Sequence, residues 1–453
     1  MPAHRSLDCF KAYDVRGRVP DQLDVDLARD IGRAYATFVK PSTVVVGRDI
    51  RLTSEAMTAA LTEGLVASGC KVHDIGLCGT EMVYFATAHL NADGGIMVTA
   101  SHNPKDYNGM KFVREGARPI SGDTGLETIR SIILERSFAP DRRGGSVERV
   151  EVLEAFIHHL LQVVRPEALT PLRLVVNPGN GCAGPVLEAL APRLPVHFLR
   201  SNFTPDGTFP NGVPNPLLPE NREATAAAVR AGAADLGIAW DGDYDRCFFY
   251  DHTGAFVDGY YIVGFLAEAM LRKHGGGAVV LDPRLTWNTL EVLARNKGRA
   301  VISKSGHAFI KERMRAEDAV YGGEMSAHHY FREFFYCDSG MLPWLLLCEL
   351  VGKAGRPLAD LLAESMEAFP ISGEQNRTVA DPQRALALVK ERYAATALAS
   401  SEVDGISLEF AQYRFNLRMS NTEPVIRLNV ETRGDRALCD RITAELLSTI
   451  EGA

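Results

Sequence analysis

Two polar loops carry the residues of this chain that are best suited to phosphoryl chemistry. Ser101 lies on the first, in the polar run 99–104 that follows the apolar run 95–98. The second loop follows the apolar run 236–240 and contains three acidic residues, Asp241, Asp243 and Asp245. A serine hydroxyl can carry a phosphoryl group as a covalent intermediate. Carboxylates can hold a divalent cation beside it, so the two loops together predict phosphoryl transfer.

The three aspartates alternate along the chain, and in an extended segment alternate side chains point to one face. Neighbouring carboxylates repel one another unless a cation joins them. Hard oxygen ligands favour Mg²⁺, Mn²⁺ or Ca²⁺ over zinc, and three protein ligands leave room for a phosphate oxygen. An EF-hand is excluded because its sixth position requires Gly and is Arg246 here. A solvated acidic turn is the alternative interpretation.

Ser101 is followed by Pro104, which disfavours helix in the residues just before it. We therefore expect Ser101 on an exposed loop, although serine also commonly caps a helix or turn. Lys111, ten positions further along the chain, could reach the same site. A solvated lysine is the alternative for Lys111.

Three further loops offer groups for binding a phosphorylated sugar. The first loop contains Glu324, Ser326 and His328, whose carboxylate, hydroxyl and imidazole suit sugar hydroxyls. The second loop contains Arg418, Ser420, Asn421 and Thr422. This is a phosphate-binding set, because arginine binds phosphate bidentately. The third contains Lys304 and His307, the latter a candidate proton shuttle. Each of these loops could also be an ordinary turn.

Several function classes are disfavoured. The run 179–184 fits Gly-x-Gly-x-x-Gly, but the acidic residue that a dinucleotide site requires falls inside a Pro- and Gly-rich loop, 204–216. The net charge of −8 argues against nucleic acid as the main partner. No apolar stretch approaches the roughly 18 residues of a membrane span, and no signal-peptide core follows the start. The eight scattered cysteines suggest reduced thiols, so we expect a cytoplasmic protein.

At 453 residues the chain should form three or four domains. Strand and helix patterns alternate, which is typical of layered α/β domains. Three stretches share the order of apolar strand, polar turn and amphipathic helix, with helices expected from about Ser54, Pro185 and Asn288. After a linker near 369–373, strand patterns at 406–410 and 425–430 and a helix from about Arg436 predict a small α+β domain.

These loops together resemble those of the α-D-phosphohexomutases, and within them the bacterial phosphomannomutase branch. The likeness runs from about residue 9 to 431 and is carried by 11–17, 99–104, 241–246, 323–328 and 418–422. It implies an α/β fold of three related mixed-sheet domains and a smaller, mobile C-terminal α+β domain around a central cleft. The domains expected are a phosphoserine-bearing one, a metal-binding one, a sugar-reading one and a phosphate-binding one, at 1–145, 146–250, 251–368 and 369–453.

The resemblance also implies roles for individual residues. Ser101 would be the phosphoserine, and one Mg²⁺ per chain would be held by its phosphoryl group and by Asp241, Asp243 and Asp245. Arg246 would contact the phosphoserine, and Lys111 and His307 would transfer protons. The sugar and its idle phosphate would be bound by Tyr13, Arg16, Lys304, Glu324, Ser326, His328, Arg418, Ser420, Asn421 and Thr422. Arg284 stands where some relatives have lysine, and the two are not equivalent at a phosphate site.

The implied reaction is the reversible interconversion of mannose 6-phosphate and mannose 1-phosphate, and of the glucose phosphates. Hexose 1,6-bisphosphate would be the intermediate and activator. The Glu324-Met325-Ser326 form resembles mannose-type members, with a role in supplying GDP-mannose. A Mg²⁺-dependent sugar-phosphate phosphatase, a glycosyltransferase or a non-catalytic sugar-phosphate-binding protein are the alternatives. The protein is expected to be a monomer or homodimer.

Overall fold

The computed structural model describes residues 7–419 and 425–452. These residues fall into two compact units. The first unit combines residues up to 256 with residues 328–355, and the second combines residues 257–327 with residues from 356 onward. Over the described ranges, no helix has both the length and the apolar character that crossing a membrane requires.

The first part of the first unit is a mixed sheet with helices. Its strands are β1 Val15–Arg18, β2 Thr43–Arg48, β3 Lys71–Leu77, β4 Gly94–Val98, β5 Tyr107–Arg114, β6 Arg118–Pro119 and β7 Ser146–Arg149. Its helices are α1 Val25–Val39, α2 Ser54–Ala67, α3 Thr80–His89 and α4 Leu126–Glu135. The strand order is β1-β5-β4-β2-β3-β7, with β6 on β5. Strand β2 is parallel to β3 and β4, and β5 runs antiparallel to β4.

The sequence of helix α1 explains why residues 25–39 form a helix that packs on this sheet. Its apolar residues Leu27, Ile31 and Tyr35 recur at helical spacing and are fully buried in the core of this sheet. The Asp24 side chain caps the helix by accepting a hydrogen bond from the Leu27 backbone N–H at 2.8 Å.

The second sheet of the first unit delivers the aspartate loop. Its elements are α5 Leu153–Val163, β8 Leu172–Asn177, α6 Ala183–Leu190, β9 Val196–Arg200, α7 Glu223–Gly232, β10 Leu236–Trp240 and β11 Cys247–Tyr250. Strand β12, Phe256–Val257, spans the boundary between the units. Strand β8 lies between β9 and β10, parallel to both, and β11 is antiparallel to β10.

The second unit begins with parallel strands and helices. Its elements are α8 Gly259–His274, β13 Gly277–Leu281, α9 Trp287–Arg295, β14 Gly298–Ile302, α10 His307–Ala316 and β15 Tyr321–Gly323. Strand β13 is parallel to both β14 and β15. The chain then returns to the first unit for β16 His329–Phe331, β17 Cys337–Asp338 and α11 Leu342–Ala354.

The remainder of the second unit is an antiparallel sheet with two packed helices. Its elements are α12 Leu358–Ala368, β18 Gln375–Thr378, α13 Pro382–Tyr393, β19 Ala399–Ser401, β20 Ile406–Glu409, β21 Tyr413–Met419, β22 Val425–Thr432 and α14 Arg436–Glu451. The strand order is β18-β22-β21-β20-β19. The core combines the inward residues of β20, β21 and β22 with those of α13 and α14. The predicted fold class, α/β sheets followed by a small α+β part, is confirmed.

Glu431 joins the two sheets of the second unit. This fully buried carboxylate accepts hydrogen bonds from the backbone N–H groups of Thr286 and Trp287, at 2.8 and 3.0 Å, where α9 begins. It also accepts from the Tyr260 hydroxyl and, at 2.8 Å, from Arg414. A carboxylate at a helix N-terminus satisfies backbone donors that have no partner within the helix.

Replacing Glu431 should therefore destabilise the second unit. Glu431→Ala leaves Arg414 buried without its carboxylate, which typically costs about 3–5 kcal/mol in the free energy of unfolding. Calorimetric unfolding measures the loss. Glu402→Ala is the control, because this exposed carboxylate pairs with the exposed Lys390, and no measurable change is expected. Equal effects of the two substitutions would contradict the assignment of Glu431 as an anchor.

Candidate active site

The three aspartates lie on the turn that connects β10 to β11. One carboxylate oxygen of each aspartate lies within 4.8 Å of one oxygen of each of the other two, and all three side chains are buried. The segment is a turn rather than the extended run that the alternation suggested, and Tyr244 within it has a φ of 43°. Gly242 allows this turn to approach the serine loop, since a Cβ there would lie 2.6 Å from the Ser101 carbonyl oxygen.

Lys111 supplies the positive charge nearest to these carboxylates. Its ammonium donates hydrogen bonds to Asp243 Oδ2, at 2.8 Å, and to Asp245 Oδ2. Burial disfavours the charged lysine, but the two carboxylates outweigh it and raise the pKa of Lys111. Burial also disfavours ionised Asp243, yet Lys111 holds the pKa of that carboxyl below its usual range. Burial, with the charges of Asp245 and Asp243, raises the pKa of Asp241 to about 8.

The cluster fits a divalent cation. Asp243 Oδ1 and Asp245 Oδ1 are buried, and neither has a hydrogen-bond partner among the described residues. Buried carboxylate oxygens without donors are costly, and a hard cation would satisfy them. The three aspartates are therefore the candidate metal ligands.

Ser101 lies directly against this cluster. Its hydroxyl donates a hydrogen bond to Asp241 Oδ2 at 2.7 Å, and its backbone N–H donates to Thr99 Oγ1 at 2.9 Å. The residue has a φ of 51°, which is uncommon for serine. The expectation that Ser101 is exposed is wrong, because the side chain is buried with 1% exposure. The aspartate turn covers the loop on which the serine lies.

Arg51 holds the Ser101 loop, and the sequence analysis missed it. Its guanidinium donates hydrogen bonds to four backbone carbonyls at 2.6–3.0 Å, those of Ser101, Asn103, Pro104 and Tyr107. Asp49 pairs with Arg51 Nε at 3.3 Å and accepts from Ser54 Oγ at 2.5 Å. Both charged residues follow β2, whose neighbour β4 precedes Ser101. Polar residues after adjacent parallel strands were the signal that could have indicated Arg51.

Arg246 and Arg16 bring further positive charge to the Ser101 loop. Arg246 Nε lies 3.6 Å from Asp241 Oδ2 and donates to His328 Nε2 at 3.2 Å. Arg16 donates to Asn103 Oδ1 at 2.7 Å and pairs with Asp14. Tyr13 lies in the bend that precedes β1, the strand that carries Arg16.

His328 belongs with the aspartates of the first unit. Its Nε2 lies 3.7 Å from Asp245 Oδ1. Ligand atoms of Asp245, His328 and Asp338 also lie within 4.8 Å of one another. The predicted sugar-reading imidazole is therefore next to the candidate metal ligands, and Asp338 is a neighbour that the sequence analysis missed.

In the second unit, Arg284 lies beside the loop that contains Glu324 and Ser326. Arg284 makes a bidentate pair with Asp282 at 2.9 Å and donates to Ser326 Oγ at 3.2 Å. It lies 3.7 Å from Glu324 Oε1, which accepts from the Gly306 backbone N–H at 2.9 Å. The last bond places the loop of exposed Lys304 and buried His307 next to Glu324.

Arg418, at the end of β21, shares Glu374 with two other arginines. The Glu374 carboxylate lies 3.5 Å from Arg418, 3.6 Å from Arg284 and 3.4 Å from Arg427. Arg418 also lies 3.8 Å from Asp404. The sequence analysis missed Glu374, Arg427 and Asp404. Of these, Arg427 could have been indicated by its pairing with Arg418 across the β21–β22 hairpin. Ser420, Asn421 and Thr422 lie outside the described residues.

Four family domains match the chain in sequence. Residues 8–140, 154–254 and 258–369 match the phosphoglucomutase/phosphomannomutase alpha/beta/alpha domains I, II and III. Residues 374–448 match the C-terminal domain of the same family.

Curated proteins and a solved structure are similar over almost the whole chain. A phosphomannomutase of Salmonella montevideo is 57% identical, over 98% of this chain and 99% of its own length. The phosphohexose mutases of Xanthomonas campestris are 58% identical over 99% of this chain and 100% of their own length. A crystal structure of a phosphoglucomutase/phosphomannomutase family protein from Burkholderia thailandensis superposes with a TM-score of 0.89 at 31% identity, covering 99% of this chain and 98% of its own.

The metal site can be tested without any assumption about the reaction. Asp243→Asn removes one charge from the cluster and should weaken Mn²⁺ binding at least about tenfold by isothermal titration calorimetry, a loss typical of altered ligand sets. Glu55→Gln, at an exposed carboxylate of the same unit, makes the same change of charge and should bind like the unaltered protein. Equal affinities for the two variants would show that the cation is not held by the aspartates.

Proposed function

This chain belongs to the phosphoglucomutase/phosphomannomutase family and is an isomerase of hexose phosphates, and we propose that it interconverts mannose 6-phosphate and mannose 1-phosphate. We also propose that it accepts the corresponding glucose phosphates. The family assignment rests on the four domain matches and on the near-complete likeness to curated phosphomannomutases. The observation that carries the mechanism is the hydrogen bond from Ser101 Oγ to Asp241 within the aspartate cluster.

Ser101 is proposed to carry the phosphoryl group between turnovers. A free hydroxyl of the hexose monophosphate attacks phosphorus, the bond from phosphorus to Ser101 Oγ breaks, and a hexose 1,6-bisphosphate forms. The phosphoryl group that the substrate carried from the start is then transferred to Ser101, and the isomeric monophosphate remains. One hydroxyl loses a proton and another gains one in each transfer, so a base and an acid are required. Lys111 and His307 are the residues proposed for these proton transfers.

The charge around Ser101 supports this cycle. Arg246 and Arg16 lie at the serine loop, and Arg51 fixes the backbone that carries the nucleophile. When bound, one Mg²⁺ held by Asp241, Asp243, Asp245 and a phosphoryl oxygen supplies positive charge for the transfer. Such preorganised charge and in-line positioning supply most of the rate enhancement in phosphoryl transfer.

The second unit is proposed to hold the sugar and its idle phosphate. Glu324 and Ser326 offer an acceptor and a donor for sugar hydroxyls, and His328 and Tyr13 are proposed for the same role. Arg284 and Arg418 already lie near one another around Glu374, as two arginines that bind one phosphate would. Lys304, Ser420, Asn421 and Thr422 complete the proposed set.

The alternatives fit the family match less well. A metal-dependent phosphatase would release inorganic phosphate in step with substrate loss, and a mutase would not. A simple sugar-phosphate-binding protein would have no need of a serine beside the aspartates. The bisphosphate as activator, the four domain boundaries expected from the sequence and the cytoplasmic location stay predictions. The choice between monomer and homodimer also stays a prediction.

Ser101→Ala should retain under about a hundredth of the turnover, because the group that accepts the phosphoryl is removed. Intact-mass and peptide mapping after addition of glucose 1,6-bisphosphate and Mg²⁺ should find one exchangeable phosphate, located on Ser101. Ser68→Ala, at the end of α2, is the matched control and should be phosphorylated normally. A fully active Ser101→Ala, or phosphate only on another residue, would overturn the proposed cycle.

Arg418→Ala should raise the KM for hexose phosphate about 10- to 100-fold, since each charge-assisted bond to phosphate contributes roughly 1.5–3 kcal/mol. Phosphorylation of Ser101 should persist, because Arg418 lies in the other unit. Steady-state kinetics and intact mass measure the two effects separately. Arg392→Ala, at an exposed arginine of helix α13 in the same unit, should leave both unchanged. A loss of phosphoserine in Arg418→Ala would refute the division of roles.

A further inference from the structure

We propose that Glu374 is an internal counter-ion of the phosphate site, and that its carboxylate competes with the substrate phosphate for the surrounding arginines. These arginines, Arg284, Arg418 and Arg427, are here called the arginine cluster. The proposal rests on the proposed function, since it takes the arginine cluster as the site of the idle phosphate.

The backbone fixes Glu374 at this position. It directly precedes β18, whose Asn376 pairs with Arg427 on β22, and Arg427 in turn pairs with Arg418 on β21. Arg284 lies on the loop after β13. Side-chain exposure is 4% for Arg284, 15% for Arg418, 22% for Glu374 and 34% for Arg427, so these charges interact through a partly dry environment. A solvated surface cluster would not be packed in this way.

The charges in the arginine cluster require an anion. Burial and the like charge of Arg284 lower the pKa of Arg418. Burial disfavours ionised Glu374, but the three arginines outweigh it and hold the pKa of that carboxyl below its usual value. Glu374 is therefore ionised, and its charge offsets the repulsion among the guanidinium groups.

Other acidic groups face the arginine cluster without filling that role. Asp282 forms a bidentate pair with Arg284 at 2.9 Å, Glu324 lies 3.7 Å from Arg284, and Asp404 lies 3.8 Å from Arg418. Each of these approaches one arginine, whereas Glu374 lies 3.4–3.6 Å from all three. A tight ion pair has an N–O distance of about 2.7–2.9 Å, so Glu374 is held loosely by several partners.

A loosely held carboxylate among arginines is well suited to be exchanged for phosphate. A phosphate monoester brings a charge of about −1.5 to −2 to the place where Glu374 contributes −1. The two anions repel, so binding of phosphate requires the carboxylate to give up contacts or to remain beside a like charge. The consequence is a weaker phosphate site than the arginines alone would make.

A weaker site serves the proposed reaction. The bisphosphate intermediate has to present first one phosphate and then the other to Ser101, and each phosphate therefore has to leave the arginine cluster once per turnover. Without Glu374 the arginines would hold the intermediate longer. The counter-ion thus favours exchange of the two phosphates over tight retention of one.

Glu374→Gln tests the proposal because it keeps the side-chain shape and removes the charge. Inorganic phosphate, measured by calorimetry, should bind about tenfold more tightly, the effect expected when a charge a few ångströms from a dianion is removed. The KM for mannose 1-phosphate should fall by a similar factor, with no rise in kcat. Phosphate should also raise the melting temperature of the variant more than that of the unaltered protein.

Two variants serve as controls. Glu402→Gln makes the same change of charge in the loop after β19, at an exposed carboxylate paired with Lys390, and should leave phosphate affinity unchanged. Glu374→Asp retracts the carboxylate by one methylene and should give a smaller gain in affinity. This variant keeps the proposal testable if the glutamine variant folds poorly.

Unchanged or weaker phosphate binding by Glu374→Gln and Glu374→Asp would overturn the proposal and make Glu374 an orienting group for the arginines. That outcome is distinct from failure of the proposed function. If Arg418→Ala also leaves phosphate binding and KM unchanged, the arginine cluster is not the phosphate site. If Arg418→Ala weakens both, the proposed function stands and only the counter-ion role is lost.

Discussion

The arrangement of the first unit depends on the cost of burying three like charges. Asp241, Asp243 and Asp245 have little contact with solvent, and Lys111 neutralises only part of their charge. Carboxylates in this situation are stable only with cations and donors directed at them. Ser101 donates to the cluster from one side, and Thr80 donates to Asp243 at 2.5 Å from another. The same electrostatic demand that makes the turn costly makes it a candidate site for a metal ion.

In both units a buried arginine, paired with a carboxylate, holds a loop by donating hydrogen bonds to its backbone carbonyls. In the first, Arg51, paired with Asp49, donates to backbone carbonyls around Ser101. In the second, Arg414, paired with Glu431, donates to the carbonyls that precede α9, at 2.8 Å to Pro283 and 3.1 Å to Arg284. A buried arginine has five donors in a fixed fork, so it can hold an irregular backbone that no strand or helix would satisfy.

Sequence reasoning located the candidate site residues that have other polar residues close by in the chain. It missed the residues whose partners lie far away in the sequence. Ser101 and the aspartates stand out because each loop places several polar residues within a few positions. Arg51 and Glu374 do not, because their partners are far along the chain and only the sheet order brings them together. The helices expected near 54, 185 and 288 begin at Ser54, Ala183 and Trp287, since strand, turn and helix patterns are local. The burial of Ser101 could not be read from its own loop, because the aspartate turn covers it.

Ion-pair geometry separates the arginines that build the protein from those available to a ligand. Arg51 and Arg414 make short bonds, at 2.6–3.1 Å, to carbonyls or carboxylates that cannot leave. Among the described residues, the acidic groups paired with Arg418 and Arg427 lie at the looser distances of 3.4–3.8 Å. Arg284 combines both, with a bidentate pair to Asp282 and a looser approach to Glu374. A guanidinium that already has short, fixed bonds gains little from phosphate, whereas one with loose partners gains charge-assisted bonds when phosphate arrives. By this criterion Arg51 and Arg414 belong to the scaffold, and the looser contacts of Arg418 and Arg427 agree with their proposed place at a phosphate.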